Sequence, residues 1–346
     1  MNISKYNVLL VILVGLLCSA SATAQTLKIA TLVPEGSEWM IALKTASTEI
    51  EAQTNGRVKL KIYGGGVQGS DQNVIRKIRV GQLHGFTTTG GGLAALHRDA
   101  GIYSMPLMFN NIDEATYVRA KMDRRLREKL EDAGWVNFGF SFSGFAHLMS
   151  NKPVSSLKDL EKLRIWVPED DRIGFDAIRT LGGAPVQMPM TDVLTGLQTD
   201  LLDTVVTSPM GAVVFQWHGQ VRYVTELPLV FLYSALVIDH KPFSRIAPAD
   251  QAIVREKLEA TQRGLNLSGA DDDDRFMSAL IDSGIQSTAV DPNQVASWRN
   301  LVQKSNRRLG EHGEFSLTDL DELEAHLVDY RRKVLVVNNG SAGSQR

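Results

Sequence analysis

The feature that most restricts the fold is a strand–helix–strand pattern that begins near residue 27. Residues 27–31 form a short, mostly apolar run typical of a strand, and alternating apolar residues over 58–62 predict a second strand. Between them, four apolar side chains recur at helical spacing: Trp39, Leu43, Ala46 and Ile50. Because the joints are short, we expect parallel strands connected by a right-handed helical crossover, the unit from which α/β folds are built.

The first 24 residues have the features of a cleavable export signal. Lys5 provides a basic start, Val8–Leu17 is an apolar run of signal-peptide length, and Ala22-Thr23-Ala24 suits signal peptidase. The apolar run is short for a membrane anchor. Cys18 lacks the small preceding residue that a lipidation site needs. We therefore expect simple cleavage before Gln25 and a periplasmic protein.

Cysteine content and charge exclude several classes of function. Cys18 is the only cysteine, so cleavage leaves no thiol for disulfides, metal ligation or nucleophilic catalysis. Removing Lys5 from the 37 basic residues leaves 36, against 39 acidic residues. This balance provides no reason to expect a nucleic-acid partner.

The alternation of strands and helices continues through most of the chain. We predict helices at 71–80, 112–133, 172–181 and 191–199, strands at 163–167 and 204–207, and late helices near 293–310 and 318–335. Residues 229–238 are almost entirely apolar, which predicts a buried central strand that crosses back into the first lobe. Asp271–Asp274 lack the spacing and the glycine of a calcium loop, so we interpret them as a solvated helix start.

Chain length predicts two lobes. The mature chain of 322 residues, 346 less the leader of 24, is longer than a single core usually supports. We predict an α/β protein whose lobes are interwoven, with the chain crossing between them more than once. The predicted parts are a first lobe at 25–145 plus about 231–270, a second lobe at 146–230 plus about 271–337 with the C-terminal helices, and a polar tail at 338–346.

Motifs for cofactors and catalysis are weak or missing. Gly64–Gly69 matches the G-x-G-x-x-G pattern of dinucleotide-binding folds, which also need an acidic residue about 20 positions further on. None occurs between Asp71 and Asp99, so we interpret the run as an ordinary turn. The seven histidines are not spaced for helical metal pairing, and neither a Walker loop nor a G-x-S-x-G elbow occurs. We expect a binding protein without cofactor or metal, and not an enzyme.

Two glycine-containing segments follow apparent strand ends. Thr87–Gly92 and Pro34–Ser37 place backbone N–H groups and hydroxyls where open α/β sheets bind ligands. The alternative for each segment is an ordinary turn. The candidate ligand contacts on this side are Glu35, Trp39, Gly90 and Gly91.

Several later segments resemble a known family. Leu157–Pro168 resembles the DLKGLKIRVP segment of the DctP family, the solute-binding subunits of TRAP transporters, and Leu181–Pro189 resembles its LGANPVPMP. Asp192–Thr199 is similar to the family's EVYTALQTG, and Met105–Phe109 to its DLPFLF. The matches run in order from about residue 27 to residue 260.

The resemblance implies a fold, a function and partners. It implies a two-lobed, type II-like periplasmic binding protein whose hinge-linked lobes close on a small molecule. The implied partners are the small and large membrane subunits of a permease driven by an ion gradient, with no ATP site. Some relatives that carry apolar cargo work with a helical-repeat lipoprotein, which is a further partner to consider.

The residues that bind carboxylate in the family differ here. Aligning Leu163–Pro168 with the family's KIRVP places Trp166 where an arginine forms a two-pronged salt bridge with the ligand. Ala146 occupies the position of a second ligand-binding arginine of the family. Thr207 and Ser208 lie near the position of a third polar residue that binds the ligand in the family. An enclosed carboxylate without a counter-charge costs on the order of several kcal/mol. We therefore predict an apolar or amphipathic ligand.

Aromatic and apolar side chains form the rest of the predicted cleft: Phe142, Phe145, Trp166, Met188, Phe231 and Tyr233. Trp166 is the predicted floor, with Thr207, Ser208 and the Gly90–Gly92 amides as polar anchors. Because large apolar side chains often fill cores, we expect about half of this set to pack there. Two other functions stay open, namely a receptor for an organic acid held by Arg164 or Arg172, and a protein that docks a partner without a ligand.

Overall fold

A computed structural model describes residues 24–343 of the chain, without the side chains of 267–272 and 337–343. The predicted signal peptide lies outside the described residues except for Ala24. The first elements are β1 (Gln25–Ala30), α1 (Glu38–Gln53) and β2 (Val58–Tyr63). Strands β1 and β2 are parallel and in register from end to end, which confirms the predicted strand–helix–strand unit.

The first lobe continues through a mixed set of elements: α2 (Asp71–Arg79), β3 (Gly85–Thr89), α3 (Gly90–Leu96), a 3-10 helix (Arg98–Ser104), α4 (Ile112–Asp132) and β4 (Trp135–Asn137). Helix α4 begins where Asn111 Oδ1 accepts a hydrogen bond from the Glu114 N–H at 3.0 Å. It ends before Gly134, whose φ of +91° suits glycine. Its predicted apolar stripe is buried in the core: Ala115, Val118, Met122, Leu126 and Leu130.

The second lobe is built around a parallel group of strands. The chain enters it along β5 (Ser141–Ser150) and continues through α5 (Leu157–Leu160), β6 (Arg164–Val167), α6 (Arg172–Thr180), β7 (Ala184–Gln187), α7 (Val193–Gln198), β8 (Thr204–Thr207), α8 (Pro209–Val214) and β9 (Tyr223–Thr225). Strand β6 is parallel to β7 and to β8, as expected of strands connected through helices. The predicted strands and helices between 163 and 207 are confirmed to within two residues at each end.

Two long strands join the lobes. Strand β10 (Val230–Asp239) lies antiparallel to β5 at the centre of a sheet with the order β2-β1-β3-β10-β5-β8-β6-β7. Strand β10 also pairs with β3 of the first lobe, and β5 pairs with β8 of the second. The sequence run 229–238 is apolar because this strand lies inside the molecule. The predicted central strand and the two-lobed α/β architecture with interwoven crossings are confirmed.

The C-terminal part is mainly helical: α9 (His240–Phe243), α10 (Pro248–Asp282), β11 (Gln286–Thr288), α11 (Pro292–Glu311) and α12 (Leu317–Gly343). The predicted helix start at Asp271–Asp274 is wrong, because these residues lie inside α10. That helix packs against α1, β5 and α8, and this packing holds it as one continuous element. None of the described helices has an apolar stretch long enough to cross a membrane.

The last helix differs from its predicted extent and position. Helix α12 continues past the predicted end at 335, and its backbone is helical to Gly343, within the predicted polar tail. Its apolar residues Leu320, Leu323 and Leu327 pack with the first-lobe core, next to α4. The prediction assigns this helix to the second lobe, whereas these apolar residues pack on the first-lobe core; the assignment to a lobe stays a prediction. The other predicted lobe boundaries stay a prediction.

Candidate functional site

A cavity of about 410 Å³ lies between the two lobes, and we call it the cleft cavity. The first-lobe wall follows β1, β2 and β3: Leu32, Val33, Gly36, Ser37, Glu38, Trp39, Ser70, Asp71, Thr87, Thr88, Thr89, Gly91 and Gly92. The second-lobe wall follows β6, β7 and β8: Pro168, Glu169, Asp170, Pro189, Met190, Thr207, Ser208, Met210, Gly211, Val214 and Phe215. Ser143, Leu232, Ser234 and Phe276 complete the lining. The cavity therefore lies at the carboxyl ends of parallel strands in both lobes, where α/β folds bind ligands.

Asp71 is a charged group of the first-lobe wall and lies in the first turn of α2. Its Oδ2 accepts a hydrogen bond from the Thr88 hydroxyl on β3. Gly92 makes this contact possible, since a Cβ at that position would overlap both Thr88 Oγ1 and Asp71 Oδ2. Among the residues that the structure describes, none donates a hydrogen bond to Asp71 Oδ1. The fold thus positions a carboxylate at the cavity wall with one oxygen engaged and the other available.

The environment of Asp71 raises its pKa from 3.8 to about 6. Burial is the main cause and is opposed by the hydrogen bond from Thr88. The negative charges of Asp170 and Glu169 raise the pKa further. Carboxyl groups of the two lobes therefore repel one another across the cleft.

This shift makes stability depend on pH in a defined direction. Between about pH 4 and pH 6 the folded state keeps a proton on Asp71 that the unfolded state has released, so rising pH favours unfolding. We expect the free energy of unfolding of the wild type to fall by about 1–2 kcal/mol relative to Asp71→Asn over this range, since the side chain keeps some solvent contact. Urea unfolding of both proteins at several pH values measures the difference. If the free energy of unfolding of the two proteins changed with pH in the same way, the raised pKa of Asp71 would be contradicted.

The two lobes touch on the acidic side of the cavity. The side-chain amide of Gln72 on α2 donates a hydrogen bond to the carboxylate of Asp170, which follows β6. Gly91 lies opposite Asp171, and a Cβ added at Gly91 would be 3.6 Å from Asp171 Cβ. Asp171 begins α6 by accepting a hydrogen bond from the Gly174 N–H at 2.8 Å. The structure therefore shows the lobes in direct contact around the cavity.

Hydroxyl groups supply the neutral polar part of the lining. Ser143 on β5 donates a hydrogen bond to Ser234 Oγ on β10 at 3.1 Å, so the two crossing strands present linked hydroxyls to the cavity. Ser208 begins α8, because its Oγ accepts a hydrogen bond from the Gly211 N–H at 3.1 Å. Its hydroxyl proton stays available to an acceptor on a ligand.

The charged residues that line the cavity are all acidic: Glu38, Asp71, Glu169 and Asp170. Glu38 forms an ion pair with Arg275 at 3.6 Å. Within the described part of the chain, the other carboxylates form no ion pair, and no Lys or Arg lines the cavity. The same residues include no group of three or more His, Cys, Asp or Glu placed to hold a metal ion. The cavity wall thus carries uncompensated negative charge.

Some predicted ligand contacts do line the cavity: Trp39, Gly91, Thr207 and Ser208. Their part in binding stays a prediction. Gly90 lies outside the lining, and a Cβ there would meet Ser104 and Tyr233. Glu35 is exposed at the first strand-to-helix joint and forms an ion pair with Lys44. Gly90 and Glu35 therefore have positions that do not support direct contact with a ligand.

Four predicted aromatic contacts belong to the core cluster of the first lobe: Phe142, Phe145, Phe231 and Tyr233. The alternation of side chains along β10 explains the positions of Phe231 and Tyr233, because Leu232 and Ser234 line the cavity and their neighbours face the other way. The rings of Phe142 and Phe231 stack with centroids 5.3 Å apart. Ala146, also predicted as a contact, is fully buried in β5. About half of the six predicted aromatic and apolar contacts were expected to pack in the core, and these four do so.

Trp166 does not line the cavity. Its Nε1 donates a hydrogen bond to the Met188 carbonyl at 3.0 Å, and its ring packs edge-on against Trp217 with centroids 5.1 Å apart. Trp166 and Met188 both belong to the second-lobe core. Their predicted contact with a ligand finds no support in this packing, and Trp166 instead supports the wall from behind.

The two arginines that were candidates for holding an organic acid form ion pairs with other residues. Arg164 Nε pairs with Asp203 at 3.1 Å, and Arg172 Nε pairs with Glu314 at 3.0 Å. Both arginine side chains are exposed, and neither lines the cleft cavity. Their present positions do not supply a counter-charge for a carboxylate in the cavity.

The acidic part of the wall was not predicted from the sequence. Asp71 follows the glycine turn after β2, and Glu169 and Asp170 follow β6. Each therefore lies beyond the carboxyl end of a strand, by the same rule that selected Thr87–Gly92. The positions of these three acids were therefore predictable from the strand ends. The family motifs instead indicate only the positions of the arginines.

The glycine pair at the start of α3 offers a matched test of this geometry. We expect Gly92→Ala to lower the free energy of unfolding by about 1–3 kcal/mol, because the new Cβ pushes against Thr88 and Asp71. Gly91→Ala is the control, since a Cβ there makes only ordinary contact with Asp171 and changes helix propensity by a similar amount. Urea denaturation followed by circular dichroism compares the two. Equal stability of the variants would show that the contact at Gly92 relaxes without cost.

A comparison with protein families finds one match over most of the chain. The family model described as DctP, bacterial extracellular solute-binding protein, family 7, matches residues 29–311. A similar curated protein is the 2,3-diketo-L-gulonate-binding periplasmic protein YiaO of Escherichia coli, which is 24% identical over 275 residues, covering 78% of this chain and 82% of that protein.

Solved structures share the fold at low sequence identity. A TRAP periplasmic solute binding protein from Haemophilus influenzae with bound L-gulonate superposes with a TM-score of 0.80 at 18% identity, covering 87% of this chain and 99% of that one. The sugar acid binding protein DctPAm from Advenella mimigardefordensis, in complex with galactonate, has a TM-score of 0.82 at 16% identity and covers 89% of this chain and 99% of that one. These similarities establish the two-lobed fold.

Proposed function

Because this chain belongs to the DctP family of bacterial extracellular solute-binding proteins, we propose that it is a periplasmic receptor that captures a small molecule and delivers it to a TRAP permease. The observation that carries the proposal is the cavity of about 410 Å³ at the strand ends of two lobes joined by β5 and β10. The small and large membrane subunits of the permease are the proposed partners. A signal peptide at residues 1–24 accounts for export, and a helical-repeat lipoprotein stays a prediction.

The ligand that fits the lining is amphipathic. Trp39, Met190 and Phe215 are among the apolar side chains of the wall, which favour an apolar body. Hydroxyls of Ser143 and Ser234 on the crossing strands offer hydrogen bonds to a polar end. A ligand with both parts exchanges water for contacts on both surfaces as the lobes enclose it.

An organic acid is the second candidate. The names of related proteins favour it, since YiaO is named for 2,3-diketo-L-gulonate and the DctPAm structure contains galactonate. The lining opposes it, because the charged residues around the cavity are acidic and Arg164 and Arg172 pair with other carboxylates. Binding a carboxylate here requires a cation to move into the wall.

A ligand panel tests the proposed function. The protein is unfolded and refolded to remove carried-over ligand, and melting temperature is then measured with sugar acids, small organic acids, neutral amphipathic compounds and amines. We expect a saturable increase with at least one compound, abolished or strongly reduced in Trp39→Ala. Tight binding of galactonate or another acid would select the second candidate. If no compound binds and native mass spectrometry of protein from cells finds none retained, the protein instead docks a partner without a ligand.

A further inference from the structure

The acidic trio, which we define as Asp71, Glu169 and Asp170, brings negative charge from both lobes to one part of the cavity wall. Asp71 belongs to the first lobe, and the other two follow β6 in the second. The hydrogen bond from Gln72 to Asp170 holds the two sides together. Since no Lys, Arg or His of the described residues pairs with the trio, closing the lobes brings like charges together without a counter-charge.

Asp71 is the group of the trio that the fold has positioned most firmly. Thr88 engages its Oδ2, and the absence of a Cβ at Gly92 leaves room for that bond. Its Oδ1 lies at the lining with no donor from the described residues. A carboxylate oxygen at the cavity wall loses its water when a ligand fills the cavity, so a ligand that supplies a donor stabilises the closed protein.

We propose that the ligand carries a positively charged nitrogen, such as an ammonium group, which binds between Asp71 and the carboxylates of Glu169 and Asp170. The proposal rests on the receptor function above and names the ligand class of the same cavity. An N–H donor with positive charge forms charge-assisted hydrogen bonds to Asp71 Oδ1, and its charge offsets the repulsion across the cleft. The raised pKa of Asp71 agrees with this, because it reports a site that lacks a compensating positive charge.

The apolar part of the wall fits the same ligand class. Trp39, Phe215 and Phe276 contribute aromatic rings to the lining. Aromatic faces attract organic cations and also pack against the carbon atoms beside an ammonium group. An amphipathic amine therefore uses both halves of the cavity, whereas an anion meets repulsion at the trio and gains nothing electrostatic from the rings.

The position of the trio also couples binding to closure. Asp71 lies on one lobe, and Glu169 and Asp170 lie on the other, so a cation between them has its full set of partners only when the lobes are together. A ligand shifts a conformational equilibrium by its differential affinity for the two states. The cation thus favours the closed form by removing a repulsion that exists only in that form.

A matched series of probes tests the charge. Isothermal titration calorimetry of the refolded protein at pH 7.5 compares 2-phenylethylamine, 2-phenylethanol and phenylacetate, which share a skeleton and differ in charge. We expect the amine to bind at least tenfold more tightly than the alcohol, and phenylacetate to show no measurable binding. Asp71→Asn should reduce amine affinity tenfold to a hundredfold and leave alcohol affinity within twofold. Glu169→Gln provides a second variant with a weaker effect in the same direction.

The controls separate this inference from the receptor function. Glu51→Gln removes an exposed acid of α1 that pairs with Lys59 at 2.7 Å, outside the cavity lining, and should leave amine affinity unchanged. If an acid such as galactonate binds tightly while no amine does, the receptor function stands and the cationic ligand is wrong. Equal affinities of the amine for wild type and Asp71→Asn overturn the inference too. So does saturable binding of Ca²⁺ that disappears in Asp71→Asn, because the trio is then a metal site.

Discussion

Replacing Trp166 with alanine is expected to lower the free energy of unfolding by about 3–5 kcal/mol. The side chain is only 4% exposed, packs on Trp217, and donates its Nε1 hydrogen to the Met188 carbonyl. Truncation leaves a large cavity in the second-lobe core and an unpaired carbonyl, and both changes destabilise the folded state. Urea unfolding followed by circular dichroism measures the loss without depending on tryptophan fluorescence.

Trp39→Ala is the matched control for this change. Trp39 is half-buried and lines the cleft cavity, so its truncation should cost less than half as much stability while weakening ligand binding. Comparing the two variants therefore distinguishes a tryptophan that supports the cavity wall from one that contacts the ligand. A Trp166→Ala protein with unchanged stability and no ligand binding would show instead that Trp166 is the floor of the cleft, as the sequence comparison predicts.

The second large effect concerns the attachment of the last helix. Lys129 on α4 donates hydrogen bonds to Asp99, at 2.6 Å, and to Asp319 on α12. Both carboxylates are almost fully buried. Burial raises the pKa of Asp99, but the hydrogen bonds from Lys129 and the Ser316 N–H outweigh it and hold the pKa below its usual value. The carboxylate is thus charged in the folded protein and depends on its partners.

We expect Lys129→Met to lower the free energy of unfolding by about 3–5 kcal/mol, because it leaves buried carboxylates with too little positive charge. Arg124→Met on the same helix is the control, since Arg124 pairs with Glu128 on the exposed surface at 3.5 Å and should cost less than about 1 kcal/mol. Chemical denaturation at pH 7 compares the two. Similar stabilities of both variants would mean that Arg125, which also pairs with Asp319, is enough to hold α12 in place.

Local pattern predicted much of this protein. Helix α4 and strand β8 were predictable because apolar spacing and β-branched runs depend only on neighbouring residues. Helix α10 was not predicted as a single element, since its continuity depends on packing against α1, β5 and α8. The position of α12 on the first lobe likewise depends on the buried charges around Lys129, which lie far apart in the chain.

The residues of the site also include some that the sequence predicts and others that it does not. Thr207, Ser208 and Gly91 were identifiable, because they lie at or just after the ends of strands that the sequence itself indicates. The core position of the aromatic residues of β10 was not predictable, because alternation shows that Phe231 and Leu232 point in opposite directions but does not show which one faces the cleft. The sequence contained the acids of the cavity wall without showing that they come together.

The sequence by itself therefore determined the family, the α/β order of elements and the central strand at 229–238, since these rest on motifs and local periodicity. The tertiary structure alone decided that Trp166 supports the second-lobe core and that Asp71 faces Glu169 and Asp170 across the cleft. The physical reason is distance along the chain: Asp71 and Asp170 meet because β5 and β10 join two separately packed lobes, and no local pattern encodes that approach.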